Sequence, residues 1–246
     1  MEPFEIDGDG PLGVVVVHGF TATPFEVAYL GKKLGERGFS VAVPLLPGHG
    51  TTVEDLDATT WHQWADAVAA AVDRMAGKCD RVALVGSSLG GLLSLYTASR
   101  RPSVACVASL AAPIWLDGVA RMAARLTRPG ALLDRVRRLP KLGGSDVLDP
   151  DMKRQNPSYR SIPTRALDQL AQFMDVVDAA LPTITQPVLV LHGVHDHTAP
   201  VACARYIATK THAVRLRLLP RSYHLLAIDV ERDIVASEVT DFLRGH

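Results

Sequence analysis

Three residues of this chain have the type, spacing and setting for acyl-transfer chemistry. Gly86-Ser87-Ser88-Leu89-Gly90 fits the pattern G-x-S-x-G, and Gly91 adds a further small residue. The setting makes the pattern informative. The apolar run Val82–Val85 reads as a strand directly before it, and an apolar helical stretch follows. A serine on such a strand–turn–helix bend stands clear of the backbone, and the bend is so tight that only small residues fit beside it. The helix N-terminus adds the positive end of its dipole. Ser87 lies at the x position, where the bend does not project its side chain. A phosphate cradle is the alternative use of a glycine-rich turn. It is disfavoured, because no Gly-Lys-Ser/Thr follows and Gly86, Gly90 and Gly91 do not form G-x-G-x-x-G.

A serine hydroxyl needs a histidine to take its proton and an acid to orient that histidine. In open α/β sheets, ligands collect at the carboxyl ends of the strands. After the run Pro187–Leu191 comes His192-Gly193-Val194-His195-Asp196, and after Val214–Leu219 comes Pro220-Arg221-Ser222-Tyr223-His224. Asp196 and His224 are therefore the candidate acid and base. His212 precedes the last strand, His246 is the final residue, and Asp175 and Asp178 lie in a helical segment. The oxyanion of an acyl-transfer intermediate also needs donors. The backbone N–H of Leu89 is one, and that of Phe20, in the loop His18-Gly19-Phe20-Thr21 after the first main strand, is the other. His49 in Pro47-Gly48-His49-Gly50 reads as a loop hydrogen-bonding residue. His192, His195 and His197 surround Asp196, but a strand followed by a glycine turn accounts for His192, so no metal site is expected and chelators should not inhibit.

These residues need a scaffold of alternating elements. Leu12–Val17, Phe39–Pro44, Arg81–Val85, Val104–Leu110, Pro187–Leu191 and Val214–Leu219 read as short strands. Phe25–Arg37, the stretch from Trp61 to Met75, Leu89–Arg100, Pro200–Thr209 and Val230–Leu243 have helical spacing. The alternation implies a mostly parallel sheet with helices on both faces. Between Ile114 and Pro182 the rhythm breaks. Helices are expected at Val119–Leu126, Leu132–Leu139 and Ala166–Ala180, with no strand and a small basic excess, so the segment reads as a helical insertion between two sheet strands.

The 246 residues carry 26 Lys+Arg against 26 Asp+Glu. A balanced charge argues against a nucleic-acid partner. No apolar run approaches the roughly 20 residues of a transmembrane helix, and the acidic N-terminus does not resemble a signal peptide. Three widely spaced cysteines, Cys79, Cys106 and Cys203, read as reduced thiols of a cytoplasmic protein.

The motifs at residues 18–21, 47–50, 86–91, 192–196 and 222–224 occur in an order and at spacings similar to those of the bacterial carboxylesterase / monoacylglycerol lipase family of α/β-hydrolases. The likeness runs over nearly the whole chain and is weakest at residues 119–159, which are rich in arginine. The resemblance implies the α/β-hydrolase fold, with a core of residues 1–113 and 183–246 and a small helical cap at 114–182. It implies hydrolysis of carboxylic esters through an acyl-enzyme, with Ser88 as nucleophile, Asp196 and His224 as its partners, and Phe20 and Leu89 as oxyanion donors. No metal or organic cofactor is implied. The expected partner is a small-molecule ester of short-to-medium acyl length, monoacylglycerols included, held by a monomer or small homo-oligomer. Ile114, Trp115 and Phe173 are the expected pocket-lining residues of the cap. Thioester hydrolysis, acyl transfer and perhydrolysis use the same triad on the same fold. A non-catalytic ligand-binding relative would typically lack a triad member, and all three are present.

Overall fold

The computed structural model describes every residue except Met1, Asp117, Arg128, Pro129, Leu133, Asp134, Leu142 and His212. Seven strands form one sheet, in the order β1-β3-β2-β4-β5-β8-β9. They are β1 (Phe4–Ile6), β2 (Leu12–Val17), β3 (Ser40–Val43), β4 (Arg81–Ser87), β5 (Val104–Leu110), β8 (Pro187–Gly193) and β9 (Ala213–Leu219). All pairings are parallel except that of β1 with β3.

The run Leu-Gly-Val-Val-Val-Val of β2 is buried throughout, as a central strand covered on both faces must be. Alternation sends its side chains to opposite sides. Val15 and Val17 join one core cluster, with Trp64, Leu84 and Leu92. Val14 and Val16 join the other, with Leu30, Leu34, Val235 and Phe242. The first face is covered by α3 (Trp61–Ala76), α4 (Leu89–Arg100) and α8 (Val201–Lys210), the second by α1 (Phe25–Gly35) and α9 (Arg232–Arg244). The short α2 (Val53–Asp57) is started by Thr52, whose hydroxyl accepts from the Asp55 N–H.

Between β5 and β8 lie α5 (Gly118–Thr127), β6 (Arg138–Pro140), α6 (Pro150–Gln155), β7 (Ser161–Pro163) and α7 (Thr164–Ala180). Buried Leu167, Leu170, Phe173, Met174 and Val177 recur at helical spacing along α7 and seat it on α3 and α4. Two expectations fail here. The described residues of Leu132–Leu139 are not helical, and the segment does contain strands: β6 and β7 form an antiparallel ribbon, with Leu139 opposite Ile162. Each strand is three residues long and carries a proline, so neither has the length or alternation that marks a strand in sequence. Leu133 and Asp134 lie outside the described residues.

Candidate active site

The strand β4 runs two residues further than the sequence reading, to Ser87, and α4 begins at Leu89, so Ser88 is the whole of the turn. Its backbone is at φ 54°, ψ −117°, a conformation that costs a non-glycine residue about 1–3 kcal/mol. The surroundings hold it there. A Cβ on Gly86 would lie 2.0 Å from the Gly90 carbonyl oxygen, and one on Gly90 would lie 2.1 Å from that of Val17. The Ser88 N–H donates to the Leu110 carbonyl of β5 at 2.8 Å. The glycines are thus required by contact between strand and helix.

Asp196 and His224 leave the carboxyl ends of β8 and β9 as expected. The two loops touch: a Cβ on Gly193 would meet the Tyr223 carbonyl oxygen at 2.2 Å. His224 Nδ1 lies 2.7 Å from Asp196 Oδ2, and His224 Nε2 lies 2.9 Å from Ser88 Oγ. The other carboxylate oxygen, Oδ1, accepts the N–H groups of Thr198 and Ala199 at 2.8 and 2.7 Å. All three side chains are largely shielded; Ser88 is 9% exposed and His224 5%.

Burial opposes ionisation of Asp196, but the nearby His224 and the hydrogen bonds from His192 and His224 outweigh it, so its pKa falls below the usual carboxylate range. Burial likewise lowers the pKa of His224, and the Asp196 charge overcomes it, leaving a net rise. His192 Nε2 lies 3.0 Å from the Ala199 carbonyl oxygen and 3.1 Å from Asp196 Oδ2.

The loop carrying Phe20 runs beside the serine: a Cβ on Gly19 would sit 3.3 Å from Ser88 Cβ. Leu89 is the first residue of α4, where an N–H has no intrahelical acceptor. Buried His18 shapes the Phe20 loop, with Nδ1 2.9 Å from the Gly19 carbonyl oxygen and Nε2 accepting the Leu46 N–H at 3.1 Å. Burial, and then neighbouring His49, push His18 down to about 3, so it is neutral in this role. His49 is lowered by burial to about 4, and its Nδ1 lies 3.0 Å from the Pro47 carbonyl oxygen.

The chain matches the profile of the Alpha/beta hydrolase family over residues 14–238. It belongs to that family. The hydrolase is 33% identical over 253 residues to the thermostable monoacylglycerol lipase of Bacillus sp. (strain H-257), covering 100% of this chain and 95% of the relative. It is 27% identical over 247 residues to the carboxylesterase of Bacillus subtilis (strain 168), covering 98% and 96%. A solved structure from work on the metagenome-derived lipolytic enzymes LipS and LipT superimposes with a TM-score of 0.91 at 28% identity, covering 100% of this chain and 98% of that one.

The remaining residues singled out in the hydrolase's sequence separate. Ile114 is buried in the main core cluster, and half-buried Trp115 meets the Tyr206 ring edge-on at 5.4 Å. Phe173 is fully buried, stacked on Trp61 at 5.2 Å and edge-on to Tyr96 at 5.4 Å. Those contacts pack it between α7 and the helices beneath. The three histidines near Asp196 diverge: His197 Nδ1 pairs with Asp146 at 2.9 Å, while exposed His195 flanks Tyr223. Among the described residues no group of three or more His, Cys, Asp or Glu is arranged to hold a metal, and no helix is long and apolar enough to cross a membrane. His212 lies outside the described residues.

Sequence reasoning missed the groups that brace the loops. The Asp229 carboxylate accepts the N–H groups of Tyr223, Leu148 and Asp149 at 2.8, 3.0 and 3.0 Å. Asp146 accepts from His197 N–H and the Thr198 hydroxyl, both at 2.9 Å. Glu26, on α1, accepts from Asn156 at 2.9 Å. These are charged residues without a motif. The only signal in sequence is that Glu26 falls between Phe25 and Val27 on an otherwise apolar helix face.

Proposed function

We propose that this hydrolase cleaves carboxylic esters by a serine mechanism, with Ser88 as nucleophile, His224 as general base, Asp196 as its orienting acid, and the Phe20 and Leu89 N–H groups as oxyanion donors. One observation carries the reading: the continuous Asp196–His224–Ser88 relay at 2.7 and 2.9 Å. Neutral His224 takes the Ser88 proton through Nε2 as Oγ attacks the ester carbonyl. Ionised Asp196 stabilises the imidazolium that forms. The developing oxyanion lies at the start of α4, where N–H groups and helix dipole favour negative charge. His224 then protonates the leaving alcohol, and water repeats the sequence on the acyl-enzyme. The names of the relatives support the ester class, and the unpaired cysteines support a reducing, cytoplasmic setting.

The pH dependence follows from the His224 environment. Only the neutral imidazole accepts the serine proton, and Asp196 holds the protonated form to higher pH than an ordinary histidine. The kcat/KM should therefore rise with pH along a single limb whose midpoint lies above about 6.5. A profile that is flat from pH 5 to 8, with chemistry rate-limiting, would count against His224 as base.

The segment at 114–182 serves as a cap, with Ile114 and Trp115 in the acyl-pocket wall. The near-closed nucleophile suits a small monoester with an apolar acyl group. Each buried CH₂ contributes about 0.8 kcal/mol, roughly fourfold in affinity. Rates should climb with acyl length, reach an optimum at short-to-medium chains, and then fall, with monoacylglycerols accepted. The measurement is rate against acyl length for esters and thioesters, below and above the solubility limit. A jump in rate on long triacylglycerol emulsions when the interface appears would sink this reading of the cap.

A further inference from the structure

Thr21 follows the proposed donor Phe20 directly, and its backbone is at φ 61°. That is the left-handed region, where a β-branched residue is an outlier that its surroundings must enforce. In this fold the enforcing groups come from the stretch 141–159 of the inserted segment. The Tyr159 N–H donates to the Thr21 carbonyl at 3.0 Å. The Lys141 ammonium donates to Thr21 Oγ1 at 3.3 Å and to Ser158 Oγ at 2.7 Å. The two hydroxyl oxygens, Thr21 Oγ1 and Ser158 Oγ, lie 3.4 Å apart.

Behind this contact two carboxyls, those of Glu26 and Asp146, act on the ammonium. Burial lowers the Lys141 pKa, with the Glu26 and Asp146 carboxyls offsetting only part of that fall, and burial raises the pKa of Glu26. Glu26 Oε2 would lie 3.2 Å from a Cβ on Gly19, so the carboxyl borders the same loop. Asn156 spans from Glu26 to Ser145 at 2.9 and 3.1 Å, tying α1 to the inserted stretch.

We propose that Lys141 is a positioning residue that, through Thr21 and Ser158, holds the Phe20 loop in the strained conformation that aims its N–H at the oxyanion. The inserted segment thereby completes the catalytic apparatus as well as bordering the substrate. The proposal rests on the serine-hydrolase reading above.

The test is a double-mutant cycle on a soluble p-nitrophenyl ester, with Lys141→Met, Thr21→Gly and the pair, and thermal midpoints for all three. Loss of a whole oxyanion donor costs about 10²–10³ in kcat. A displaced donor should cost less, so Lys141→Met is expected to lower kcat about 10- to 100-fold with KM nearly unchanged. Glycine adopts φ > 0 without strain and removes the Oγ1 contact. In the Thr21→Gly background the added Lys141→Met change should therefore lower kcat by no more than about threefold. Equal losses in both backgrounds, or a lowered thermal midpoint with kcat intact, would overturn the proposal. Should Lys141→Met fail to fold, Ser158→Ala replaces it in the cycle with the same two readings. A wild-type protein that neither cleaves the ester nor reacts with a serine-directed phosphonate would instead sink the underlying function.

Discussion

Replacing Ser88 with alanine is expected to lower kcat for ester hydrolysis by about 10⁴–10⁶, leaving only binding and oxyanion stabilisation. The size of the effect follows from geometry. Ser88 Oγ is the atom at hydrogen-bond distance from His224 Nε2, and the φ of 54° exists to present it. Labelling by a serine-directed phosphonate should vanish in the same variant. Ser87 supplies the control one residue away. Its hydroxyl is buried with no hydrogen-bond partner among the described residues, on the strand side of the turn, so Ser87→Ala should keep most of the activity and all of the labelling. Should the two variants behave the other way round, the assignment of the bend is wrong.

His224→Ala should be about as damaging as Ser88→Ala, and the double variant hardly worse, because residues acting as one unit do not contribute additively. The ring joins the other two: one nitrogen faces Ser88 and the other faces Asp196. Asp196→Asn should cost about one to two orders of magnitude less than His224→Ala, since the acid orients and stabilises the imidazole without taking its proton. Part of the Asp196 side chain also serves structure, by accepting the N–H groups of Thr198 and Ala199. Asparagine can keep those bonds, so the loss should appear in kcat with little change in thermal midpoint. Additive losses for Ser88→Ala and His224→Ala would argue that the two residues act in separate steps.

The parts of the fold legible in sequence were those that a local rule marks. Strand ends, with a glycine beside the first two, pointed to Ser88, Asp196 and His224, because the carboxyl edge of a parallel sheet is where loops converge. Val14 to Val17 announced a strand buried on both faces. The short strands escaped. Phe4-Glu5-Ile6 is too brief to show alternation, and Arg138–Pro140 and Ser161–Pro163 pair with each other across the twenty residues 141–160. The braces escaped for a related reason. Lys141, Asp146, Asn156 and Asp229 are polar residues in irregular chain, and in sequence they are indistinguishable from groups facing water. Their partners are loops that the fold brings to them. Phe173 shows the limit of spacing: it marks a buried face of α7, but spacing does not say whether that face meets a ligand or another helix.

The strands β5 and β8 are paired neighbours, Leu110 opposite Leu191, although residues 111–186 intervene. Closing a long loop costs only logarithmically more as it grows, about 0.6 kcal/mol per doubling. Lengthening or shortening this excursion therefore barely taxes the sheet, and evolution is free to remodel it. That freedom is uneven. The stretches of the excursion that carry no tie to the loops after β2 and β8 can drift, whereas Lys141, Asp146, Ser158 and Tyr159 each grip one of those loops. Lineages diverging toward new esters should thus change the excursion mainly in its untied stretches, with the grips surviving as fixed anchors in an otherwise variable region.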